Sequence, residues 1–263
     1  MSISPCDATP ALPQGATPSQ PLKTVHHHNL KHIADGVVGA AAIASTVIAN
    51  PLLRAFYRKW GATEHEAHKP LAGDSLIAHP RMQYTRAISI HAPPEQVWPW
   101  LIQVGYERAG WYSYDVLEDV TGAAEFVDGD SAERIVPELQ QLAVGDEIKL
   151  YKGLSFRVHT LEPPRTMILV DAHDATTKAP FDPATDEQPE DFVSASWAFV
   201  LEDPDDLELP EYEGGTRLLI RWRLDYTPTR AHDIMWKTFV EPINFVMERK
   251  MMHGLKKRAE RSI

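Results

Sequence analysis

The sequence predicts an α+β domain, and three observations carry that prediction. Apolar residues alternate with polar ones at a period of two in several stretches, the pattern of half-buried strands. A run from about Arg230 to Arg261 instead places Trp236, Phe239, Val240, Ile243, Val246, Met247, Met251 and Leu255 at helical spacing. Between these extremes, Tyr84 to Gly105 reads as strand, tight turn and amphipathic helix.

That unit organises the rest. Ile88 and Ile90 alternate with Ser89 and His91, and the strand stops at Ala92-Pro93-Pro94. Proline suits the first helical turn, where its missing N–H would be unpaired anyway. Glu95 lies in the electropositive first turn. Val97, Trp98, Leu101, Ile102 and Val104 follow at helical spacing, and Gly105 offers a stop.

This strand and helix, together with Gly110-Trp-Tyr-Ser-Tyr-Asp-Val-Leu-Glu118, Leu161-Glu-Pro-Pro-Arg165 and Phe245-Val-Met-Glu-Arg-Lys-Met251, resembles the START-like (SRPBCC) helix-grip superfamily, the polyketide cyclase/dehydrase and lipid-transport group. The resemblance covers roughly Leu71 to Ile263. It implies an antiparallel sheet of six or seven strands wrapped around the long C-terminal helix, with a ligand cavity between them. It also implies that the short helix after Gly110 forms part of the cavity rim.

Ahead of this domain, residues 1 to about 24 are rich in Pro, Ser, Thr, Gln and Ala and bury too little apolar surface to order themselves. The division is a tail over 1–32, an apolar helix over 33–59, a linker over 60–80 and the domain over 81–263. Ile33 to Ala49 is the one long apolar run, its 17 residues at the lower edge of a bilayer span. Gly36, Ala40 and Ala44 recur every four residues, as in close-packed membrane helices. Three readings fit: a membrane anchor, a helix docked on the domain, or a secretory signal. In the first, Arg54, Arg58 and Lys59 put the domain in the cytoplasm.

Within the domain, Glu147 to Tyr151 is a strand, followed by Leu154, Phe156 and Val158 on one face of the next. Ile168 and Val170 share a face after the Pro163-Pro164 turn. Val193, Ala195, Trp197, Phe199 and Leu201 line one side of a further strand, and Leu218, Ile220, Trp222 and Leu224 one side of the last. Arg217, Arg221 and Arg223 take the opposite side, which strict alternation assigns to water. No strand is legible between Ser131 and Val144, where Arg134 and Glu138 read as a surface pair. Pro242 must kink the C-terminal run or restart it.

The net charge is −11, which argues against nucleic acid as a partner. Asp171 to Glu213 holds 14 acidic residues and one lysine, a pattern of solvated loops. Asp182, Asp186, Glu187, Glu190 and Asp191 lack EF-hand spacing. Cys6 is the single cysteine, so there is neither an intramolecular disulfide nor a cysteine zinc site, which fits a reducing compartment. His26, His27, His28 and His32 have no carboxylate or cysteine to complete a metal site, and His65 and His68 are one residue too close for His-Glu-x-x-His. No cofactor is implied, and no nucleophile elbow, phosphate loop or dinucleotide fingerprint occurs.

The resemblance, together with the inward Trp, Tyr and Met residues, implies three functions as alternatives. The first is binding of a small hydrophobic or amphipathic ligand (a lipid, isoprenoid or polyketide-like molecule) by Trp111, Tyr112, Tyr114, Trp197, Trp222, Met247 and Met251. The second is a cyclase/dehydrase-type enzyme using Asp115 and Tyr114, with His91 a weaker candidate. The third is a protein-interaction domain built on the acidic stretch.

Overall fold

The two-residue alternation becomes one antiparallel sheet of six strands. They are β1 (Met82–Ile90), β2 (Glu147–Tyr151), β3 (Leu154–Glu162), β4 (Thr166–Asp174), β5 (Phe192–Glu202) and β6 (Thr216–Tyr226), in the order β1-β6-β5-β4-β3-β2. This computed structural model describes residues 30–120, 126–203 and 214–261. The proposed disordered tail, His26 to His28 and the acidic residues from Asp205 to Glu213 lie outside the described residues.

The helices are α1 (Leu30–Arg58), α2 (Glu64–His68), α3 (Pro94–Ile102), α4 (Asp115–Val120), α5 (Arg230–Ile234) and α6 (Glu241–Arg261). Between α5 and α6, Met235–Val240 is π-helical, so the C-terminal element is continuous from Arg230 to Arg261. Pro242 explains the π turn. It has no N–H to donate one turn back, and the chain widens ahead of it rather than breaking. The architecture is a helix-grip fold, with α6 packed on one face of the sheet.

Parity sorts the two sheet faces. Tyr84, Ile88 and Ile90 of β1, Phe156 and Val158 of β3, Met167 and Leu169 of β4, Trp197 and Phe199 of β5, and Leu218, Ile220 and Trp222 of β6 share one core with Met251, Met252 and Leu255 of α6. Register places Tyr84 opposite Trp222, Trp222 opposite Trp197, and Trp197 opposite Leu169. One row of large side chains therefore crosses four strands under α6.

The other face is not wet, which corrects the expectation from alternation. Ile168 and Val170 point to this outer side and pack on Leu76 and Ile77. Arg217, Arg221 and Arg223 also point there, where they hold the segment read as a linker. Arg217 makes a two-pronged pair with Glu66, at 2.7 and 2.9 Å, and donates to Ser89 and to the Gly61 carbonyl. Arg221 donates to Thr85, to Asp74 and to the carbonyls of Glu66, Ala67 and Lys69. Thr63 and Glu66 close a capping box on α2. Five donors in a rigid fork let one arginine satisfy several acceptors of a loop at once, which offsets part of the desolvation cost that burial imposes on Arg221.

The connection over residues 131–144 contributes no strand; it contains a 3-10 turn at Pro137–Leu139. Arg134 pairs with Asp128 at 2.8 Å, not with Glu138 as the spacing suggested.

Candidate functional site

Arg86 has the same parity as Ile88 and Ile90, so β1 points it into the core. Glu248 lies one turn beyond Asn244 on the face that α6 turns to the sheet. The two meet there, with Arg86 Nη1 donating to Glu248 Oε2 at 2.5 Å and both side chains almost wholly out of contact with solvent. The other carboxylate oxygen, Oε1, accepts from Trp222 Nε1 at 2.8 Å and from Trp197 Nε1 at 3.1 Å. Arg86 Nε donates to the Tyr57 carbonyl of α1 at 2.9 Å. Asn244 Oδ1 accepts from Arg86 Nη1 at 2.7 Å and from the Tyr84 hydroxyl at 2.9 Å. Nη2 of Arg86 is buried and has no hydrogen-bond partner among the described residues.

Aromatic rings enclose this pair. Trp197 stacks on Trp222 at 4.7 Å between centroids and on Trp111 at 5.3 Å. Phe156 meets both Trp197 and Trp222 edge-on. The Arg86 guanidinium lies 4.2 Å from the centre of the Tyr84 ring and 5.1 Å from that of Phe245, in cation–π range. Burial pushes the Glu248 carboxyl above its ordinary range. Arg86 and the two indole N–H groups pull it back without cancelling the effect.

The residues expected at a ligand site divide into two groups. Trp111, Trp197 and Trp222 form one stack, with Met251 in the same core. Tyr112 lies apart: its hydroxyl donates to the Trp100 carbonyl and accepts from Gln103, and its ring lies 4.3 Å from the Arg258 guanidinium. Tyr114 lies under Lys250, beside Gly39 of α1. Met247 is half-buried, and its carbonyl accepts from Ser113.

The acid–base candidates are also outside the stack. Asp115 accepts from the Ser131 hydroxyl at 2.6 Å and from the Ser131 N–H at 3.0 Å, which ties α4 to the following loop. His91 is exposed at the end of β1, with its N–H donating to Glu260. Among the described residues, no group of three or more His, Cys, Asp or Glu side chains is placed to hold a metal ion.

Sequence reading missed Arg86 and Glu248. Their signal was positional: a charge at each of two places that parity and helical spacing assign to the core.

No family model and no curated protein matches the chain. Among solved structures, a conserved protein from Geobacillus kaustophilus aligns over 69% of this chain and 97% of its own at 14% identity, with a TM-score of 0.35. CalU16 from Micromonospora echinospora aligns over 68% and 84% at 13% identity, with a TM-score of 0.26. Ara h 8.0201 aligns over 65% and 98% at 9% identity, with a TM-score of 0.28. Likenesses of this size bear on neither activity nor ligand, and the fold stands on the strand order and helix placement themselves.

Proposed function

We propose that the protein binds a small, mainly apolar molecule carrying one neutral oxygen, between the sheet and α6. Lipids, isoprenoids and polyketide-like compounds are the fitting classes. The observation that carries this reading is the buried Arg86–Glu248 pair with an unused guanidinium N–H, set among stacked tryptophans. A buried donor without an acceptor costs about 1–3 kcal/mol, so an acceptor supplied by a ligand is a stabilising partner. Glu248 already balances the charge of Arg86. A hydroxyl or carbonyl oxygen therefore needs no further counter-charge, whereas a carboxylate would bring an uncompensated one into the core. The rings of Trp111, Trp197 and Trp222 supply the apolar wall that small-molecule sites favour.

The test is to purify the full chain natively, extract it with organic solvent and analyse the extract by mass spectrometry. The expected result is a hydrophobic compound with a neutral oxygen, at close to one per chain. An empty extract from folded protein that also fails to bind hydrophobic ketones and alcohols saturably would overturn the reading.

A further inference from the structure

By length and composition α1 is apolar enough to cross a bilayer, yet its polarity is distributed inside out. The side turned to the protein carries Gly36, Gly39, Thr46, Asn50 and Tyr57, all buried. A Cβ at Gly36 would stand 2.9 Å from Val116, and one at Gly39 2.9 Å from Leu117 and Tyr114, so glycine is what lets α4 approach. Asn50 donates to the Lys237 carbonyl at 2.8 Å, Arg54 pairs with the buried Glu241 at 2.8 Å, and Asp35 pairs with Lys250 at 2.7 Å. The side turned outward carries Val37, Val38, Ile48, Leu52 and Phe56, with Ile48 81% and Leu52 87% exposed. Phe239 of the adjoining π-helical turn continues the patch, at 50% exposed.

A helix on a water-facing surface does the reverse and turns its large aliphatic side chains to the core. Small and polar residues at the helix contact with aliphatics outside is the arrangement of helices packed in lipid. The 18 residues between Asp35 and Arg54 include no charged side chain. Protein-facing patches are enriched in aromatic residues, Met and Arg, whereas this face is mainly aliphatic, with Phe56 and Phe239 its aromatic members.

We propose that α1 lies flat on a lipid bilayer, with its outer face in the acyl-chain boundary and the domain carried on its other side. It does not cross the bilayer while docked. It is bound along α6, whose Arg249, Lys250, Lys256 and Lys257 could not enter hydrocarbon without a large penalty. The net charge of −11 gives no attraction to anionic lipid, so apolar burial drives the contact and zwitterionic lipid suffices.

The test is flotation of the full chain with phosphatidylcholine vesicles. Wild type should float, with little change on raising the salt. The variant Ile48→Glu/Leu52→Glu, at two exposed positions and with an unchanged circular dichroism spectrum, should partition about tenfold or more weaker. Quenching depth should be equal and shallow for a fluorophore placed through Val38→Cys or through Leu52→Cys, each in a Cys6→Ser background. The proposal is overturned if wild type stays with the lipid-free fraction or if the glutamate variant floats as wild type does. It is equally overturned if wild type is a dimer that the variant returns to monomer, or if the two labels lie at different depths.

Discussion

Arg86 and Glu248, separated by 162 residues in sequence, meet at 2.5 Å in the core between the first strand and the last helix. Removing one partner of such a pair strands a charge, and Arg86→Met is expected to cost about 3–5 kcal/mol. Adding Glu248→Gln to that variant should recover part of the loss. The neutral amide carbonyl still accepts from Trp197 and Trp222 but no longer needs a cation. Urea unfolding of the single and double variants checks this. A double variant no more stable than Arg86→Met alone would contradict the assignment of the cost to an unpaired charge.

Asp115→Ala should act on stability. It removes both acceptors of Ser131, and about 1–3 kcal/mol is expected from the loss. Asp115→Asn, which keeps one acceptor oxygen, should cost less. Chemical denaturation of the two variants gives the comparison, and an Asp115→Ala variant as stable as wild type would mean that the Ser131 contacts contribute nothing.

Glu118 supplies a pH dependence. Burial, reinforced by the Asp115 carboxylate, holds its carboxyl well above the ordinary glutamate range. The folded state therefore keeps a proton that the unfolded chain has lost. Stability from this group is full below the unfolded value and declines as pH rises towards the folded one. Glu118→Gln mimics the protonated form and should flatten that decline. Denaturation midpoints measured from about pH 5 to about pH 8 test the sign, and a wild type that gains stability over this range relative to the variant would contradict it.

Gly254 marks the closest approach of α6 to the loop before α4. A Cβ there would stand 2.2 Å from the Tyr112 carbonyl oxygen, a backbone atom with little room to move. Gly254→Ala should therefore destabilise the protein despite the better helix propensity of alanine. Thermal melting decides it, and a raised melting temperature would show that the approach is looser than described.

Strand parity was readable because β5 and β6 carry a clean alternation, and it turned Trp197 and Trp222 inward; that the two lie opposite each other is set by the strand register. The same parity put Arg86 beside Ile88, but a lone charge reads as exposed until its partner is known. That partner lies on another element, far along the chain. The covered outer face was hidden for a similar reason. Residues 60–80 fold as a five-residue helix and a 3-10 turn held by arginines from β6, too short to leave a periodic signature. In α1 the apolar run was plain, but which side faced the protein depended on Gly36, Gly39 and Asn50 finding α4 and the C-terminal helix. The three alternative functions came mainly from the resemblance to the helix-grip superfamily, and a fold-level likeness says little about a site made of distant partners.

The central claim, a neutral oxygen received by Arg86 beside the tryptophan stack, is tested most directly by pairing a long-chain methyl ketone with the alkane of the same length. Each is titrated into delipidated protein and followed by indole fluorescence. Wild type should bind the ketone about tenfold more tightly than the alkane, the worth of one well-made buried hydrogen bond. Arg86→Met/Glu248→Gln should bind both alike. Equal affinities in wild type, or discrimination that survives in the double variant, would contradict the account.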